Sequence, residues 1–254
     1  MNLLDSAWRL SPSDLTFLAS ECPRCLWNKL AGNLPRPRAP FPRIFTALDL
    51  ATKRFFAGKR TEKIAPELRP GKVLFADRWV RSGPIYVSGH ARPVLIAGRF
   101  DSVVKFDDGT YGVLDYKTAT PKDAHIAIYS RQVHAYTTAL EHAAPGNLSL
   151  KPVTQLGLLV VEPAEMIAVK GAVAYKGLPH WVEIERNDAG FMAFLGEVVD
   201  LLEEPSPPEP NPQCQFCDYV MNGVLAHLAT GARCENTEAP GGPLAQGRIS
   251  VSGW

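Results

Sequence analysis

GRFDSVVKFDDGTYGVLDYKT, residues 98–118, is the stretch on which the reading of this chain turns. Two β-prone runs flank Asp107, Asp108 and Gly109, which fit a three-residue hairpin loop with Gly109 in the left-handed position. With that loop Phe106 faces Thr110, and Asp101 lies directly opposite Asp115. Cross-strand partners point to one face of a sheet about 5 Å apart. Lys117, two residues beyond Asp115, shares that face. The neighbours Val113, Leu114 and Tyr116 suggest a strand inside the protein, where unpaired charge is costly. A hard divalent ion held by two carboxylates would remove the conflict. The plainer alternative is a buried Asp-Lys pair in an ordinary hairpin.

Residues 122–142 read as a helix with Tyr129, Val133, Tyr136 and Leu140 along one face. Gln132 and Tyr136 sit one turn apart on that helix, so both can face the same target; packing is the rival role for Tyr136. Further helices are expected over about 13–30, with Ser11 or Ser13 as cap, over 43–56 and over 189–203. Strands are expected over 94–106, 111–118, 153–161, 166–175 and 180–184. Strands, a helix and more strands imply an α/β fold with a central mixed sheet flanked by helices.

The 254 residues are 46% hydrophobic and 21% charged, which excludes disorder throughout. A net charge of +1 gives no global reason to bind nucleic acid or a membrane. The balance is nevertheless uneven: residues 24–63 hold ten Lys or Arg against Asp49 and Glu62, whereas residues 183–210 hold eight acids against Arg186 alone. The basic stretch also carries Phe41, Phe45, Phe55 and Phe56, a combination suited to phosphates beside bases. Within it Arg36, Arg38, Arg43 and Lys53 are the candidate nucleic-acid contacts. No apolar run approaches the roughly 20 residues of a membrane helix. Asp5 and Arg9 stand where a signal peptide would carry its apolar segment, so a cytoplasmic protein without a membrane partner is expected.

Four of the five cysteines form two CxxC pairs, Cys22 with Cys25 and Cys214 with Cys217, with 188 residues between the pairs. CxxC lets two thiolates reach one metal centre, so the pairs predict that distant parts of the chain meet at structural zinc or at iron and sulfur. Cys234 reads as an ordinary thiol. Prolines stiffen residues 34–42 and 204–212. The expected organisation is a helical N-terminal region over 1–79, a core over 80–204, a Pro-rich spacer with the second CxxC over 205–234, and a mobile tail over 235–254.

Asp101, then Asp115, Tyr116 and Lys117, then a helix bearing Gln132 and Tyr136, together resemble the active site of the PD-(D/E)XK nuclease superfamily, in particular its RecB-like branch, which includes CRISPR-associated exonucleases. The resemblance implies a restriction-endonuclease-like core whose Asp101 and Asp115 ligate Mg²⁺ or Mn²⁺, with the Tyr116 carbonyl as candidate third ligand. Lys117 would act on the attacking water or the phosphate oxygens, and Gln132 and Tyr136 on substrate backbone or the metal's water shell. It further implies a deoxyribonuclease acting on single strands or ends. RecB-like nucleases with a cluster carry one cysteine before the core and three after it; here Cys25 would supply the fourth thiolate of a [4Fe-4S] centre, with structural zinc as the alternative. The early-helix histidine of that branch has no counterpart, and Asp49 or Lys53 would take its place. Rival readings are a catalytically inactive nucleic-acid-binding or scaffolding module and, more distantly, a thiol redox protein.

Overall fold

The computed structural model describes residues 6–37 and 40–230. Arg38, Cys234 and the tail 235–254 lie outside the described residues. Two units divide after Cys214. The first carries the sheet; of the second, helix α5 (Gln215–Thr230) is described.

Five strands lie in the order β1 (Trp8–Leu10), β3 (Val94–Phe106), β4 (Tyr111–Lys117), β5 (Val153–Val161), β8 (Pro179–Ile184), and β2 (Gly71–Arg81) pairs along β3. The hairpin between β3 and β4 forms as its loop chemistry dictates: Phe106 N–H donates to the Thr110 carbonyl at 2.9 Å, and Gly109 takes φ 87°. The ladder pairs Ser102 with Leu114 and Lys105 with Tyr111, which is the register that faces Asp101 toward Asp115. β4 then pairs with β5 in parallel. A parallel pair needs a long crossover, supplied here by α3 (Asp123–Glu141). β4 is buried at every position from Gly112 to Tyr116, as expected of a strand covered on both faces.

One apolar cluster packs Phe100, Val103 and Val113 with Val133, Tyr136 and Leu140 of α3 and Leu195 and Val199 of α4 (Asp188–Glu203). A second packs Val104, Leu114, Tyr116 and Leu159 against Phe56 of α2 (Arg43–Phe56) and against Leu68 and Trp181. The strand carrying Asp115 is therefore closed in by apolar side chains from both clusters.

Several elements depart from the sequence pattern. The helix expected over 13–30 is broken: a π-helical turn (Asp14–Leu18) and a short turn (Ala19–Glu21) give way at Cys22, with φ −163° and ψ 118°, to α1 (Pro23–Leu30). Pro23 starts α1 because it tolerates the first helical position. Ser11 is the cap that forms, its hydroxyl accepting the Asp14 N–H at 3.2 Å. Residues 166–175, expected as one strand, instead make the hairpin β6 (Glu165–Val169) and β7 (Ala172–Lys176), turning at Lys170 and Gly171, both with positive φ. β1, β2 and α5 were not anticipated.

Candidate functional site

The carboxylate centre is assembled from β2, β3, β4, α2 and α3. Asp101 Oδ2 accepts the Tyr116 N–H at 2.9 Å, which locks its carboxylate against the backbone of β4. Asp101 Oδ1 lies 2.8 Å from Lys53 Nζ, which also meets Asp49 at 2.8 Å and Asp77 at 3.6 Å. Asp115 is 2% exposed. Its Oδ2 pairs with Lys117 Nζ, but the contact is ionic and lacks hydrogen-bond geometry, so this oxygen accepts no hydrogen bond from the described residues. Lys117 Nζ donates to Gln132 Oε1 at 3.3 Å and lies 4.1 Å from the Tyr129 ring centroid. Tyr136 donates to the Arg99 carbonyl at 2.8 Å while its ring packs edge-on to Phe100, so it serves both the centre and the core.

Electrostatics show how strained this gathering of charge is. Burial, then the nearby Asp115 charge, push the Asp101 carboxyl up to about 6, against the pull of Lys53. Burial works against the Lys53 charge, and Asp101 and Asp49 more than offset it, leaving its pKa above the ordinary ammonium value. Burial likewise raises the Tyr116 hydroxyl to about 12 and holds the Tyr136 hydroxyl above its ordinary range. A buried carboxylate oxygen accepting no hydrogen bond, beside a second carboxylate that resists ionisation, fits a hard divalent cation with oxygen ligands.

Of the four candidate nucleic-acid contacts, Arg36, Arg43 and Lys53 are among the described residues. Arg43 is exposed on the first turn of α2. Lys53 is 8% exposed and committed to three carboxylates instead of open solvent. Arg36 pairs with Glu21 and donates to Cys214 Sγ at 3.4 Å. Asp77 was not foreseen. It adopts φ 54° inside β2, a conformation Asp accepts more readily than most residues, and its carboxylate meets Arg99 at 3.2 Å as well as Lys53. Only the β2–β3 pairing brings it here, between the pairs Ala76 with Ser102 and Arg78 with Phe100.

The cysteines form a second centre. In the first unit, Arg24 donates to the Pro208 carbonyl at 2.7 Å and Trp27 to the Glu204 carbonyl at 3.0 Å, which fixes α1 against the Pro-rich segment. Cys25 and Cys214 sulfurs are then 3.8 Å apart, well beyond the roughly 2.05 Å of a disulfide bond. In the first unit the sulfurs of Cys22, Cys25 and Cys214 lie within 4.8 Å of one another, and all three residues are buried; Cys217 lies three residues further along the chain, in α5. Burial opposes the Arg36 charge, but Cys25, Glu21 and Cys214 outweigh it and raise its pKa. The three sulfurs of the first unit are positioned to bind a metal ion or cluster, with Cys217 as the candidate fourth ligand.

A mixed sheet flanked by helices, bearing an acidic pair and a lysine at the open end of a hairpin, is the architecture of a restriction-endonuclease-like domain. The chain belongs to the PD-(D/E)XK nuclease superfamily, whose sequence profile matches residues 10–221. Nuclease-type chemistry, a nucleic-acid substrate and divalent metal are properties of that superfamily. Among solved structures, the crystal structure of SSO0001 is similar, with 16% identity over 84% of each chain and a TM-score of 0.46. No curated protein matches the chain. Among the described residues, no helix is long and apolar enough to cross a membrane.

Proposed function

We propose that this chain is a Mg²⁺- or Mn²⁺-dependent deoxyribonuclease of the RecB-like type, an exonuclease acting on single strands or ends in the cytoplasm. The observation that carries the proposal is the convergence of Asp101, Asp115 and Lys117, with a buried Asp115 oxygen that accepts no hydrogen bond. Asp101 and Asp115, with the Tyr116 carbonyl, would hold the ion, which when bound lowers the pKa of a water and neutralises charge gathering on the phosphate. Lys117 is oriented by Gln132 and the Tyr129 ring, so its ammonium is fixed where a phosphate oxygen or attacking water would lie. Tyr136, through the Arg99 carbonyl, braces β3 two residues from Asp101. Lys53, our candidate for the role of the absent histidine, lies 2.8 Å from Asp101 and opposes the upward push of burial and Asp115 on its carboxyl. Arg43, exposed at the start of α2, is left to meet the phosphate backbone. For the cysteine centre we favour [4Fe-4S], with structural zinc as the alternative.

Labelled single- and double-stranded DNA incubated with Mn²⁺, Mg²⁺ or EDTA tests this reading. Product with metal, faster on single strands and absent in EDTA, is the expected result. A second reading, an inactive module that binds DNA, draws on the Lys53 ammonium already neutralising Asp101. Retention of DNA with no metal-dependent product would select it and reject catalysis.

A further inference from the structure

A cavity of about 550 Å³ opens beside the catalytic strand, within the roughly 300–1,000 Å³ range of small-ligand sites. One wall is a stripe of α2: Leu48, Thr52 and Phe55 follow one another at helical spacing and line the cavity together with the buried Phe56, while Lys53 turns toward the carboxylates. Tyr175 of β7 lines it as well. Phe55 and Tyr175 are 61% and 53% exposed; Lys59 Nζ covers one face of the Phe55 ring, which leaves the other for stacking. Lys59 and Lys63 stand in its lining, Lys59 Nζ lying 3.0 Å from the Phe55 ring centroid, and among the described residues no acidic side chain lines it.

The cavity is tied to the chemistry by two shared residues. Thr118 follows Lys117 in the chain, and Thr52 precedes Lys53. Both also line a neighbouring cavity of about 330 Å³ that contains Asp49, Tyr116 and Lys117. A ligand in the larger cavity is thus next to the carboxylate centre. The ligand must be flat enough to lie on aromatic rings and anionic enough to suit two ammonium groups with no opposing carboxylate. A nucleotide has both properties, and its phosphate would emerge toward the lysines.

We propose that this cavity seats one unstacked base of the substrate strand, next to the scissile phosphate, with Phe55 and Tyr175 as its stacking surfaces and Lys59 and Lys63 on the adjoining phosphates. The proposal rests on the nuclease reading for its substrate and names a site for it. It also gives single-strand preference a cause, because a base held in a duplex stack cannot enter and an end must first fray.

Fluorescence anisotropy without added divalent metal separates the two. Labelled oligothymidylate is compared with an abasic strand of equal length, for the intact chain and for Phe55→Ala, Phe55→Trp and Tyr175→Ala. The intact chain is expected to bind oligothymidylate at least about fivefold tighter than the abasic strand, as stacking of a single base supplies. Phe55→Ala and Tyr175→Ala should each reduce that ratio toward one with abasic binding unchanged, and Phe55→Trp should restore it. Equal binding of the two strands by the intact chain, or a full ratio in Phe55→Ala, overturns the site. Discrimination between strands with no cleavage in Mn²⁺ keeps the site and removes the nuclease reading, whereas binding to neither strand removes both.

Discussion

Asp101 and Tyr116 stand 15 residues apart on strands whose backbone pairing brings them together, whereas Cys25 and Cys214 stand 189 apart and meet through no ladder. At the hairpin, the loop and the register place two carboxylates side by side whether or not a cation is present, and the fold bears the cost as a raised Asp101 pKa. At the cysteines, hydrogen bonds from Arg24 and Trp27 to carbonyls of the Pro-rich segment bring Cys25 and Cys214 near one another, and sulfurs gathered so closely are positioned to bind a metal. Metal at the first centre therefore relieves a conflict the fold already contains. Metal at the second would add its binding energy to the fold.

The strongest way to break that contrast is Cys214→Ser. Structural zinc contributes apparent binding energy of about 10–16 kcal/mol in small zinc domains. Loss of one of four ligands should then lower stability by on the order of 5 kcal/mol, with a fall in the thermal midpoint and loss of bound metal. Protein purified without oxygen and found brown, with iron and inorganic sulfide, identifies a cluster; colourless protein with one zinc identifies the structural ion. An unchanged midpoint together with metal-free intact protein would leave the sulfurs without a centre to hold.

Asp115→Asn should do the reverse. It removes a metal-binding charge at nearly constant volume, so cleavage should fall by about 10³-fold or more, equivalent to roughly 4 kcal/mol in the barrier. Stability in the metal-free state should hold or rise, because Asp101 no longer faces a second buried charge. Steady-state kinetics and thermal unfolding on one preparation decide it. A midpoint that drops as far as in the cysteine variant would make the carboxylates structural too.

How much of each centre could be read in advance follows from the same difference. Asp107, Asp108 and Gly109 carry their turn chemistry locally, so the register, and with it the facing of Asp101 and Asp115, was legible from the sequence. The α3 stripe through Val133, Tyr136 and Leu140 was legible because helical spacing is a local property. Two CxxC pairs announced proximity without the path between them. Asp77 could not be found, since it arrives through an unanticipated strand and a left-handed φ. Charge counted along the chain could not show the partners of Arg36 and Lys53. The fold spends those charges on Glu21 and Cys214 in one case and on Asp49, Asp77 and Asp101 in the other.

The smallest effect tests the conflict itself. An Asp carboxyl raised from 3.8 to about 6 binds a proton in the folded chain at pH 5 that the unfolded chain has released. The folded state then holds more protons than the unfolded state across this window, so the group's contribution to stability falls as pH rises from about 4 through 6. At 1.36 kcal/mol per pKa unit, the loss is at most about 3 kcal/mol, complete by neutral pH. Asp101→Asn removes the titrating group and isolates its share from every other carboxylate. In metal-free protein the substitution should therefore be more stabilising at pH 7 than at pH 5, measured as the difference in denaturation midpoint between the two proteins at each pH. Millimolar Mg²⁺ or Mn²⁺ should shrink that gain, because the cation favours the ionised pair and substitution removes one of its ligands. An equal effect of Asp101→Asn at both pH values, with metal making no difference, would mean that Lys53 alone settles the charge of Asp101, and the carboxylate centre would then share the self-sufficiency of an ordinary buried ion pair.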